Sequence, residues 1–201
     1  MWTQLFSIIT VVVSLAIVYK KFPSTTRDIK YLSLTALFGW LIGDISVATN
    51  IPYQANLHIF LQSFALSLLL IIYLIFIRQR KPVIFRYPYY IVFIPLLIPI
   101  AELIVMQTEI MKEIILMSLH GVSILVFILL TVGYVKELQH KLLTILGVIL
   151  LLWGFTFYWI LQNYYIVFEW AWGITNSLGM IACMYSFSDL LLFNENQSID
   201  S

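Results

Sequence analysis

The residues best able to do chemistry in this chain are polar groups set inside long apolar runs. Asp44, His58, Glu102, His120 and Asp189 stand among Leu, Ile, Val and Phe, together with Gln62, Tyr158 and Asn176. An ionisable group held in a membrane is costly and marks a ligand, proton or ion path by default. A carboxylate and an imidazole within reach of one bond can move protons for water attack. A few polar groups among aromatic walls make a small-molecule pocket instead. Asp44 leads the candidates. It follows Gly39 and Gly43, a small-xxx-small pair that lets a second helix approach closely. A buried carboxylate needs a partner, and His120 matches Asp44 in depth along its helix.

Other chemistries lack their residues. Zinc hydrolysis on a helix needs closely spaced ligands such as H-E-x-x-H, whereas His58, His120 and His140 are scattered. The single cysteine, Cys183, rules out an intrachain disulfide or a multi-cysteine metal site, and its apolar neighbours suggest a small buried side chain. A retinal Schiff base needs a lysine in the last helix, and residues 169–192 contain none. There is no serine nucleophile elbow and no glycine-rich phosphate loop. No metal and no cofactor are expected.

The elements that position these groups follow from composition. Of 201 residues, 62% are hydrophobic and 10% charged, against about 45–50% and about 25% in a soluble domain. A water-soluble fold of this size could not hide that apolar surface. The net charge of +1 leaves no basic surplus for nucleic acid. Seven continuously apolar stretches, near 3–19, 31–49, 57–77, 87–107, 113–135, 142–162 and 169–192, approach the roughly 20 residues that span a bilayer. Short connections suit antiparallel neighbours. The fold class expected is all-α: a polytopic transmembrane seven-helix bundle over residues 1–193, with a short acidic tail at 194–201. The fourth stretch holds Pro88, Pro95 and Pro99, which predict a bent helix.

Basic residues sort by loop. Lys20, Lys21, Arg27 and Lys30 lie in the first, Arg78, Arg80, Lys81 and Arg86 in the third, and Lys136 and Lys141 in the fifth. The positive-inside rule then places the N-terminus outside and the C-terminus inside. Trp170 and Trp172 fall near an outer end and Tyr19, Tyr31, Tyr89 and Tyr90 near inner ends, as interfacial belts require. With this orientation six helices carry a polar group at a similar outer depth, which predicts an outward-facing pocket. Its candidate ligand-binding residues are Asp44, Gln62, His120, Trp153, Tyr158 and Asn176, with Trp40, Phe155 and Trp159 as aromatic wall. Asp189 falls near the basic inner loops, where a structural ion pair is expected. Ser14, Ser67, Thr131 and Thr144 are expected to bond the preceding turn of their own helices.

Two resemblances accompany these residues. Asn56-Leu57-His58-Ile59-Phe60-Leu61 at the start of the third stretch, and Trp172 to Tyr185 with Asn176 inside it, look like a set of small bacterial seven-helix membrane proteins without assigned activity. Gly43-Asp44 and Ser188-Asp189 are similar to two Asp motifs of the lysoplasmalogenase family, polytopic hydrolases of the vinyl-ether bond. That family continues through further helices after its second Asp motif, whereas this chain stops twelve residues later. The sequence therefore predicts a receptor-like or sensor-like protein of a bacterial cytoplasmic membrane. It would be surrounded by lipid, bind a small or lipid-like ligand and act through a separate signalling or complex subunit. A lysoplasmalogenase-type hydrolase and a small-solute transporter are the alternatives.

Overall fold

The computed structural model describes residues 2–23, 26–49, 54–80, 88–105, 108–161 and 168–199. They form seven helices: α1 (Trp2–Lys21), α2 (Arg27–Ala48), α3 (Gln54–Arg80), α4 (Leu97–Val105), α5 (Glu109–Gly133), α6 (Lys141–Thr156) and α7 (Phe168–Ile199). No strand occurs among the described residues. Five helices are long and apolar enough to cross a membrane: α1, α2, α3, α5 and α6 with its extension to Leu161.

The fourth element breaks where its prolines fall. A 3₁₀ segment, Tyr89–Leu96, starts after Pro88 and contains Pro95, and α4 takes over at Leu97. Proline lacks the amide that an α-turn would use and clashes with the turn before it. The result is an apolar helix of Tyr89–Ile104, shorter than the other spans. Helix α6 ends in a π-helical turn, Phe157–Leu161. Helix α7 runs on to Ile199, so residues 194–199 of the expected tail are helical. Lys81, Arg86, Asp200 and Ser201 lie outside the described residues.

The helices close on themselves. α1 packs on α2 and α7, α2 on α3, α3 on α5, α5 on α6, and α6 on α7, while α4 and the 3₁₀ segment cover α3 from outside. Residues 65–73 of α3 are consequently buried on every side, as befits a helix apolar all round. Across the ring α3 meets α7 through rings: Tyr73 and Phe76 both contact Phe187, at 5.8 and 5.4 Å between centroids. Phe22 and Phe127 join the same cluster.

Glycines set two of the closest approaches. A Cβ on Gly43 would sit 3.4 Å from the Leu61 Cβ and 3.5 Å from the His58 Nδ1, so the Gly39/Gly43 face does receive α3. Gly147, Gly154 and Gly179 bring the backbones of α6 and α7 together. The inner hydroxyls divide. Thr131 donates to the Phe127 carbonyl and Thr144 to that of His140, whereas Ser14 and Ser67 have no partner among the described residues. The tyrosines assigned to a belt are exposed, Tyr19, Tyr31 and Tyr90 most of all, and Trp170 is exposed too.

Candidate functional site

The predicted site residues separate into two groups that do not meet. His120 and Asn176 line a cavity inside the helix ring. Asp44 lies elsewhere, and Gln62, Trp153 and Tyr158 are absent from the cavity wall.

The cavity has a volume of about 60 Å³ and lies between α2, α3, α5, α6 and α7. Trp40, Tyr73, Phe127 and Phe187 supply aromatic wall, and Leu66, Leu69, Ile72, Met180 and Met184 the aliphatic part. Ser33, Ser123, His120, Asn176 and the Cys183 thiol are its other polar groups, and no Asp, Glu, Lys or Arg lines it. Ser33 and Ser123 donate to Ile29 and Leu119 in their own helices. His120 is held from α6: the Trp159 Nε1–H donates to its Nδ1 at 3.3 Å, and the Phe155 ring meets it edge-on at 5.5 Å. Asn176 is held from the same helix, because Gly154 leaves room for its backbone and Cβ.

Asp44 has a different set of partners from the one its depth suggests. The Ser7 hydroxyl of α1 donates to its Oδ2 at 2.5 Å, and the His58 Nδ1 of α3 stands 3.8 Å from its Oδ1. The expected Asp44–His120 pair is therefore replaced by an α1–α2–α3 cluster. The acid–base pair on which a hydrolase reading rests is not assembled. The two residues stand on helix faces that do not meet.

The other candidates have structural surroundings. Trp153 is 53% exposed and meets the Phe157 ring at 5.4 Å between centroids, so it belongs to the outer surface of the bundle. Tyr158 is sandwiched by Trp159 and Trp172 at 4.6 and 4.7 Å, which ties the π-helical turn to α7. Gln62 is half-buried on α3. Glu102 is buried on α4 beside Ser63, within electrostatic reach of Lys112, whose ammonium donates to the Asn56 amide oxygen at 2.9 Å.

At the other end Asp189 is buried within electrostatic reach of His140 and Lys21, but the expected ion pair is not formed among the described residues, and its Oδ2 has no hydrogen-bond partner there. The Lys21 ammonium lies 3.3 Å from the centroid of the Tyr185 ring. Ser7 and Lys21 belong to one helix and stand fourteen residues apart. At 1.5 Å per residue this separates the Asp44 and Asp189 clusters by about 20 Å. Two carboxylates so far apart cannot act on one bond.

Sequence reasoning missed Ser7 as the Asp44 partner and left His58 out of the candidate pocket. It also missed Tyr73, Ser123 and Phe187 as cavity wall. The Gly39/Gly43 pair was the available signal for His58, since it marks the α2 face that α3 must approach. No protein-family model, curated protein or solved structure matches the chain.

Proposed function

We propose that this protein is a receptor-like or sensor-like membrane protein that binds a small apolar ligand within its helix ring and acts through a separate partner. The observation that carries this reading is the cavity: an aromatic and aliphatic wall, a few polar side chains that include His120 of α5 and Asn176 of α7, and no Asp, Glu, Lys or Arg in the lining. Five helices donate to its wall, so a ligand that prefers one packing of the ring biases them together.

The reading is tested by thermal unfolding in lipid nanodiscs with a panel of short alcohols, ketones and membrane lipids. A true ligand at a hundredfold its Kd adds about 2.7 kcal/mol to stability. Ile124→Phe, which fills the cavity, is expected to abolish that shift while folding normally. A panel that leaves both proteins unmoved would count against the reading.

The membrane setting completes the proposal. All seven helices span a bacterial cytoplasmic membrane, with the Trp2 end of α1 outside and the Lys21 end inside. This orientation rests on the clustering of basic residues at one set of helix ends. In a Cys183→Ala background, Trp170→Cys should react with a membrane-impermeant maleimide on intact cells and Lys20→Cys should not. The reverse pattern would invert the topology.

A further inference from the structure

The polar groups of the cavity specify the chemistry of what it holds. Trp159 is donor-only, so its bond to the Nδ1 makes that atom an acceptor. An imidazolium has no acceptor, and a neutral imidazole accepting at Nδ1 carries its proton on Nε2. His120 therefore carries its N–H at Nε2, and the residue lines the cavity. Among the described residues, the Trp159 bond is the only hydrogen bond of the His120 side chain, and the Asn176 amide makes none. An imidazole N–H and an amide thus lie at a largely apolar cavity with no protein acceptor, which leaves both free to donate to a guest.

We propose, resting on the cavity reading above, that the ligand is a small neutral molecule with one carbonyl or hydroxyl oxygen and an unbranched apolar body. The oxygen accepts from the His120 Nε2–H and from the Asn176 amide. The apolar body lies along Leu69, Ile72, Phe127 and Met184.

Charge and size set the class. A carboxylate, phosphate or ammonium head would enter a wall with no charged residue to meet it, which is the costliest form of burial. A volume of about 60 Å³ corresponds to room for on the order of five water molecules. That suits a slender chain of several carbons and excludes a fused-ring body.

The test uses the full-length protein in nanodiscs, labelled with ¹⁵N-histidine, and three probes of equal chain length: 2-butanone, butane and butanoate. Loss of one ring signal in His120→Phe assigns the His120 resonance. The expected result is a saturable shift of the His120 Nε2–H with 2-butanone and none at His58 or His140. Affinity should fall about tenfold in His120→Phe and in Asn176→Leu, while His120→Gln, which keeps an N–H donor, should retain most of it. The unfolding midpoint of each variant shows that it is folded.

Butane binding as tightly as 2-butanone, with His120→Phe harmless, would overturn the polar-head inference and leave the cavity reading standing. Tighter binding of butanoate would overturn the neutral class. A His120 signal that responds to no probe, with no saturable binding by any, would overturn the cavity reading itself and leave water as the partner of both donors.

Discussion

Arg80→Ala is expected to lower the unfolding free energy by about 3 kcal/mol, with no effect on cavity ligand affinity beyond that of lost stability. Arg80 ends α3 and ties three elements. Its Nη1 lies 3.0 Å from the Glu137 Oε2 in the turn after α5, and its Nη2 donates to the Leu190 carbonyl of α7 at 3.1 Å. Its guanidinium also covers the Phe76 and Tyr134 rings, at 5.4 and 5.5 Å from their centroids. The turn that carries Glu137 is closed by the Glu137 amide donating to the Tyr134 carbonyl. Truncation would strip all of these at once and leave the Glu137 carboxylate, 25% exposed, without the Arg80 guanidinium.

The substitutions around Arg80 separate the contributions. Arg80→Lys keeps the charge but not the planar fork that reaches two acceptors while stacking on rings, so about half the loss should remain. Glu137→Gln should cost about 1 kcal/mol, because a partly exposed pair is screened by water. Unfolding in mixed micelles reads all three variants. An Arg80→Ala midpoint equal to that of the parent would show that the aromatic cluster around Phe76 and Phe187 holds this end without the cation.

The legible part of this structure is what continuous apolarity dictates. Seven runs give seven helices, and most helix bounds move by only a few residues, but α4 begins only at Leu97 and α7 continues to Ile199, through the polar cluster expected to end it. Pro88, Pro95 and Pro99 marked the one irregular element, since missing amides act locally and need no knowledge of neighbours. Gly39 and Gly43 correctly announced a close helix, and Cys183 is buried as its neighbours implied.

Facing was not legible. In a soluble helix a polar stripe reports the outside, but these helices are apolar nearly all round and the lipid-facing side resembles the core. Trp153 shows the consequence: an aromatic residue assigned to a pocket wall belongs to the outer surface. His120 and Asp44 were paired because they share a depth, yet a rotation of one helix face sends Asp44 to Ser7 and His120 to Trp159. Ser7 was invisible because a hydroxyl in a helix most often bonds its own preceding turn, and only the folded structure shows that this one crosses to another helix.

The α6–α7 seam carries the second large effect, and its signal was present in the sequence unused: glycines at 147 and 154 on one helix, and at 179 on the other. A Cβ on Gly179 would lie 2.9 Å from the Leu151 amide nitrogen and 3.0 Å from the Gly147 carbonyl oxygen. Both are backbone atoms of a helix and cannot swing aside. A Cβ on Gly147 would meet the Ala182 Cβ at 2.9 Å, which its backbone fixes, and the Cys183 Sγ at 3.0 Å, which can rotate away. Helices in lipid associate through close packing rather than through a hydrophobic force between them, so forcing this seam apart removes the main attraction along it. Gly179→Leu is therefore expected to destabilise by about 3 kcal/mol, and Gly147→Ala by about 1 kcal/mol. Asn176 and Cys183 both line the cavity and both border the seam. Separation of α6 from α7 should thus open the cavity wall as it weakens the fold. Cys183, 6% exposed and the single cysteine of the chain, reports this directly. Its maleimide labelling in folded protein should rise at least tenfold in Gly179→Leu. A variant with parental unfolding and an unreactive Cys183 would mean that the two backbones have room the close approaches deny.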